Sequence, residues 1–98
     1  MLELNSKQLN EKMENGEKFV IDFFAPWCGP CKMLTQIIER SEGNLNVPIY
    51  KYNVESDKHF TAKFGVRSVP TLKLVNEGQI QKTHVGLLQE SQLQDFII

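Results

Sequence analysis

The chain has 98 residues, of which 41% are hydrophobic and 23% charged, and a formal net charge of −1 from 11 Lys plus Arg against 12 Asp plus Glu. Length and composition are those of a single globular domain spanning 1–98, which excludes a disordered or collagen-like chain. The balanced charge offers no basic surface for a phosphate backbone, and no apolar run approaches the ~18 residues of a membrane span.

A short extended start, Leu2-Glu3-Leu4, runs into Asn5-Ser6, a good helix N-cap. Leu9 and Met13 lie four apart among polar residues and predict an amphipathic helix over 6–15, stopped by Asn15-Gly16. Residues 18–24 are the richest apolar run, with Phe19, Ile21 and Phe23 pointing to one face and Val20, Asp22 and Phe24 to the other. Both faces are apolar except at Asp22, the pattern of a central strand covered on both sides. The competing placement, a sheet edge with Asp22 facing solvent, suits Phe-Val-Ile-Asp-Phe-Phe poorly.

Residues 28–42 have helical spacing, with Cys31, Leu34 and Ile38 on one stripe and Met33 and Ile37 flanking it. Met33, Leu34, Ile37 and Ile38 are expected in the core, and Ser41-Glu42-Gly43-Asn44 ends the helix. A strand follows over 47–54, then a short helix capped by Ser56-Asp57 and ending near Phe64-Gly65. Residues 71–76 and 79–85 form a hairpin around Glu77-Gly78. After Gly86, a last helix over about 90–97 turns Leu93, Phe96 and Ile97 inward. The order β-α-β-α-β-α-β-β-α predicts an α/β fold with a mixed sheet, parallel in part, and helices on both faces.

The chemistry concentrates in Trp27-Cys28-Gly29-Pro30-Cys31, where the buried strand hands over to a helix. The only two cysteines stand three apart, a step too short to staple a domain, so the pair is reactive or metal-binding. Cys28 falls at or beside the N-cap, where unpaired N–H groups and the helix dipole favour an anion, here a thiolate. Gly29 keeps the approach to the sulfur free of a side chain, and Pro30 suits the first turn, where its missing N–H costs nothing. Cys31, one turn in, faces the core, at a Cα separation of about 5–6 Å that permits a disulfide. A presented, ionisable Cys28 beside a shielded, protonated Cys31 suits thiol–disulfide exchange. Asp22, buried by its strand, is expected to keep its proton to higher pH than usual and to accept the proton of Cys31.

Asp22, Trp-Cys-Gly-Pro-Cys, Lys32-Met33, Val69-Pro70-Thr71 and Val85-Gly86, in this order over nearly the full length, resemble the thioredoxin family. The resemblance implies a thioredoxin fold, a five-stranded mixed central sheet with four helices on both faces. It implies that Cys28 is the nucleophile, Cys31 the resolving thiol and Asp22 the buried proton acceptor. Lys51 matches the family lysine that tunes this aspartate; without the resemblance it reads equally well as a solvent-facing charge. Pro70 matches a cis-proline packed against the disulfide. Trp27, Val54, Val69 and Gly86 match a flat, weakly polar surface on which an extended peptide lies as an added strand does. The implied activity is reduction of protein disulfides by a monomer with no bound cofactor, recycled by an NADPH-linked flavoprotein, thioredoxin reductase. Met1-Leu2-Glu3-Leu4-Asn5 lacks a basic segment followed by a long apolar one, so a reducing, cytoplasmic location is expected.

Three positions depart from the family pattern: Phe24 stands in place of a tryptophan, Gln36 of a proline, and Gln89 of the serine cap of the last helix. Alternative readings have their own signatures. A zinc site would join the cysteines to His59 and His84, but those histidines are 25 residues apart rather than a short-spaced pair. An oxidase, isomerase or glutathione-linked enzyme usually carries a dipeptide other than Gly-Pro between the cysteines. A binding module would survive loss of both thiols.

Overall fold

The computed structural model describes residues 1–98. Its sheet has the order β1-β3-β2-β4-β5. The strands are β1 (Leu2–Glu3), β2 (Phe19–Phe24), β3 (Ile49–Asn53), β4 (Thr71–Asn76) and β5 (Gln79–Val85). The helices are α1 (Ser6–Glu14), α2 (Gly29–Ser41), α3 (Lys58–Lys63) and α4 (Glu90–Phe96), with a 3-10 turn over Glu42–Asn44 prolonging α2. β1, β3 and β2 run parallel, while β4 is antiparallel to both β2 and β5. The predicted elements are all present. The 47–54 strand begins later than expected, at Ile49, because Pro48 has no N–H; its carbonyl still accepts from Val20 N–H at 2.9 Å.

The alternation read in β2 divides the core in two. Phe19, Ile21 and Phe23 pack with Leu9 of α1, Tyr52 and Val75, and Phe60 of α3 and Phe64, just past its end, lie against the same group. Val20 packs with Leu34 and Ile38 of α2, Leu72 and Leu74 of β4, and Leu93 and Ile97 of α4. A strand in the middle of the sheet with helices on both sides has no water on either face, so Asp22 is fully buried and the edge placement fails.

Local chemistry sets the boundaries. The Asn5 side chain accepts from Gln8 N–H at 2.8 Å and Gln8 Oε1 accepts from Asn5 N–H at 2.9 Å, a reciprocal cap for α1. At the α4 start the side chain of Gln89 makes no cap bond, as its departure from serine leads one to expect, and Gln92 Oε1 accepts from Gln89 N–H at 2.7 Å instead. Glu77 and Gly78, at φ 54° and 75°, turn the β4–β5 hairpin. A Cβ at Gly78 would also meet the Met13 carbonyl at 3.2 Å. The helix carrying Gln36 is continuous from Gly29 to Ser41.

Candidate active site

β2 ends at Phe24, whose carbonyl still accepts from Val54 N–H at 2.9 Å, and the chain then turns through Ala25-Pro26-Trp27. Cys28 N–H donates to Ala25 O at 3.1 Å, which tightens that turn and places Cys28 at the N-cap of α2. There Cys28 Sγ accepts from Cys31 N–H at 3.2 Å, the role a serine or aspartate oxygen has in an ordinary cap. Pro30 sits in the first turn of this helix, as expected. The two cysteines form a disulfide with a Cα separation of 5.3 Å.

The expected contrast in exposure between the two sulfurs is absent: Cys28 is 4% exposed and Cys31 2%. Enclosure follows from packing, since both sit with Ala25 beneath Phe24, Val54 and Val69. The asymmetry lies in what surrounds each residue. Cys28 Sγ has the Cys31 amide on one side and the Val69 carbonyl oxygen 3.8 Å away on the other. Cys31 instead lines a second, open pocket of about 410 Å³ with Phe24, Thr35, Gln36 and Lys51.

Asp22 faces Lys51 across the β2–β3 pairing. Burial raises its carboxyl from the ordinary 3.8 to about 7, and the nearby Lys51 charge offsets part of that rise. No protein group bonds either carboxyl oxygen. Lys51 is half-buried, with Nζ 5.2 Å from the centroid of the Phe24 ring, so the aromatic at position 24 covers the lysine rather than offering an N–H. Lys51 is therefore not a freely solvated charge.

Outside the disulfide, Trp27 is 70% exposed and its indole N–H donates to Glu55 Oε2 at 2.9 Å, so the ring is pinned to the surface and fills no core. Trp27, Val54 and Val69 line one groove of about 450 Å³. The Val69–Pro70 peptide is cis, and Pro70 is buried. Gly86 is not among the residues lining that groove; its N–H donates to Pro70 O at 2.9 Å, which ties it to the proline that follows Val69. A Cβ at Gly86 would meet nothing within 4 Å, so what demands glycine there is φ 96°. A Cβ at Gly29 likewise meets nothing, and that residue lies in the open expected for it.

One further reading needs correction. Met33, expected in the core, is 54% exposed, whereas Ile37 on the same flank is 8% exposed; only the second half of that flank is covered. The groove also includes Glu55, Lys58 and Arg67, which sequence reasoning did not single out. Their signal was a set of charges before, at the start of and after a short helix, indistinguishable in sequence from a solvated face. His59 is exposed on α3, and His84 lies edge-on to Phe96; neither joins the cysteines in a group of three or more ligand-type side chains.

The thioredoxin family profile matches residues 1–98. The chain belongs to the thioredoxin family. It is 39% identical over 100 residues to the thioredoxin of Haemophilus influenzae, covering 99% of this chain and 94% of that protein. Over 87 residues it is 36% identical to the thioredoxin of Bacillus subtilis, covering 86% and 84% of the two chains. Among solved structures, a mutant thioredoxin from Halobacterium salinarum superposes with a TM-score of 0.85 at 31% identity, covering 98% of this chain and 84% of that one. Fasciola hepatica thioredoxin gives 0.85 at 28%, covering 99% and 96%. With its Cys28–Cys31 couple, the chain is a dithiol–disulfide oxidoreductase that reduces protein disulfides, the cysteine pair being its redox group. Its partners are disulfide-containing targets and a reductase that recycles it.

The raised carboxyl makes a sign-specific prediction. The native state holds the Asp22 proton more tightly than the unfolded chain, so its contribution is complete below pH 3.8 and is lost as pH rises through about 7. That interval corresponds to roughly 4 kcal/mol. Asp22→Asn should therefore gain about that much stability relative to the wild type between about pH 4 and about pH 8.5. Denaturant unfolding of the oxidised protein reads it, and a difference independent of pH contradicts a buried, ionisable Asp22.

Proposed function

We propose that Cys28 is the nucleophile of this reductase, Cys31 the resolving thiol and Asp22 the proton acceptor, all within one domain that works as a monomer. The observation that carries the assignment is the Cys31 N–H aimed at Cys28 Sγ at the start of a 13-residue helix. Backbone N–H groups and the helix dipole stabilise a negative sulfur there and do nothing comparable for Cys31.

An oxidised target docks along the groove of Trp27, Val54 and Val69, beside Gly86. The Cys28 thiolate attacks one target sulfur, which forms a mixed disulfide and expels the other sulfur as a thiolate. The Cys31 thiol then gives its proton to the Asp22 carboxylate, and its sulfur attacks Cys28 Sγ. The Cys28–Cys31 disulfide forms and the second target sulfur leaves. Two electrons pass from the dithiol to the target, and the proton held on Asp22 returns to solvent as the product thiol is protonated.

A carboxyl raised to about 7 is half ionised near neutrality, and so can both take and release this proton. The positive charge of Lys51 keeps it from rising further. Gly29 and Pro30 shape the helix start, and Pro70 holds the Val69 carbonyl against Cys28. An NADPH-linked flavoprotein reductase is the proposed electron source, and a reducing, cytoplasmic compartment the proposed location. No helix is long and apolar enough to cross a membrane.

Cys31→Ser should accumulate mixed disulfides through Cys28 when mixed with oxidised protein targets, and Cys28→Ser should not. Equal trapping by both variants contradicts the division of labour. Asp22→Asn should slow the second step by about 10-fold or more near neutral pH and flatten its pH–rate profile. A profile identical to that of the wild type removes Asp22 from the mechanism.

A further inference from the structure

The groove beside Cys28 has a charge pattern that the sulfur chemistry does not use. Trp27, Val54, Val66 and Val69 give it apolar walls. Glu55, Lys58 and Arg67 are the ionisable groups among its lining residues. The Glu55 carboxylate already holds the Trp27 indole. Asp57, next to Lys58 in the chain, turns its carboxylate back to cap α3, accepting from Phe60 N–H at 3.0 Å. Lys58 and Arg67 are different: neither takes part in any of the three ion pairs, and neither side chain donates a hydrogen bond. Two unpaired cations against one engaged carboxylate leave a net positive groove on a chain whose overall charge is −1. Apolar walls concentrate such a field.

We propose that this groove selects targets carrying an acidic side chain within a few residues of the attacked cysteine, and that Lys58 and Arg67 are the residues that read it. The inference deepens the function above and rests on docking beside Cys28. The occupant is a stretch of target polypeptide: an extended segment advances about 3.3 Å per residue, so a carboxylate two residues from the cysteine lies about 7 Å along the groove from Cys28. Its apolar neighbours lie over Val54, Val66 and Val69 while the carboxylate meets the two cations. Such rim charges govern encounter rate and choice of partner more than overall affinity.

The test uses two cystine peptides, identical except for Glu or Lys two residues from the cystine, and protein reduced beforehand with dithiothreitol and desalted. The readout is the ratio of single-turnover reduction rates, acidic over basic, within each protein, so a general change in activity cancels. The wild type should favour the acidic peptide by about three- to tenfold at low salt, the ratio falling towards one near about 1 M salt. The double variant Lys58→Glu, Arg67→Glu should invert the preference; glutamate in the first turn of α3 suits the helix dipole, so the helix is kept. A wild-type ratio of one, or a preference for Glu that persists in the double variant, overturns the proposal while leaving the reductase intact. Failure of the wild type to reduce either peptide overturns the reading of the site itself.

Discussion

A single amide N–H meeting a single sulfur is the contact around which this molecule is organised. Cys31 N–H reaches Cys28 Sγ at 3.2 Å because α2 begins at that point, and α2 begins there because β2 has just left the sheet. The strand is held from both sides, by β3 and β4, so the place where it ends is not free to drift. The Cys28 N–H to Ala25 O bond closes the intervening turn. At a helix start several converging backbone donors lack intrahelical partners, so an anionic sulfur is better accommodated there than in mid-helix. The proposed chemistry is a consequence of where a buried strand stops.

The same architecture imposes a cost. Asp22 occupies the middle strand, fully buried, with no protein hydrogen bond to either oxygen, and only the Lys51 charge moderates its desolvation. An apolar residue there would give a more stable protein. A carboxyl that titrates near neutrality is of no use to the sheet; in the proposed role it would serve a thiol that must lose its proton, and stability and activity would then pull against each other at this position. Lys51, half-buried beside the Phe24 ring and lining the same pocket as Cys31, carries the charge that limits the rise of the Asp22 carboxyl.

Much of this was legible in the chain, for physical reasons that also mark where legibility stopped. The apolar residues on both faces of Phe19–Phe24 pointed to a two-faced central strand, and with it the burial of Asp22, over the competing edge placement, because an edge strand with a wet face rarely carries apolar side chains on both sides. The Asn5 cap and the Glu77-Gly78 turn are local devices with local signatures. The Trp-Cys-Gly-Pro-Cys run announced its own helix start. Met33 misled because helical spacing says which flank a residue is on but not how far along that flank the covering sheet extends. Enclosure of Cys28 came from Val54 and Val69, contributed by distant loops. The groove was hidden for the same reason: it gathers Trp27, residues around 54–61 and the 66–69 segment, which nothing in the linear order joins.

The most direct test is the pH dependence of alkylation of the reduced protein by iodoacetamide, with each cysteine followed by peptide mapping. A helix start that stabilises the Cys28 thiolate predicts modification of Cys28 with a midpoint well below the ordinary thiol value of about 8.5, and near-complete protection of Cys31 over the same range. Both cysteines reacting at the rate of an unstructured peptide, with a common midpoint near about 8.5, would contradict the account at its root.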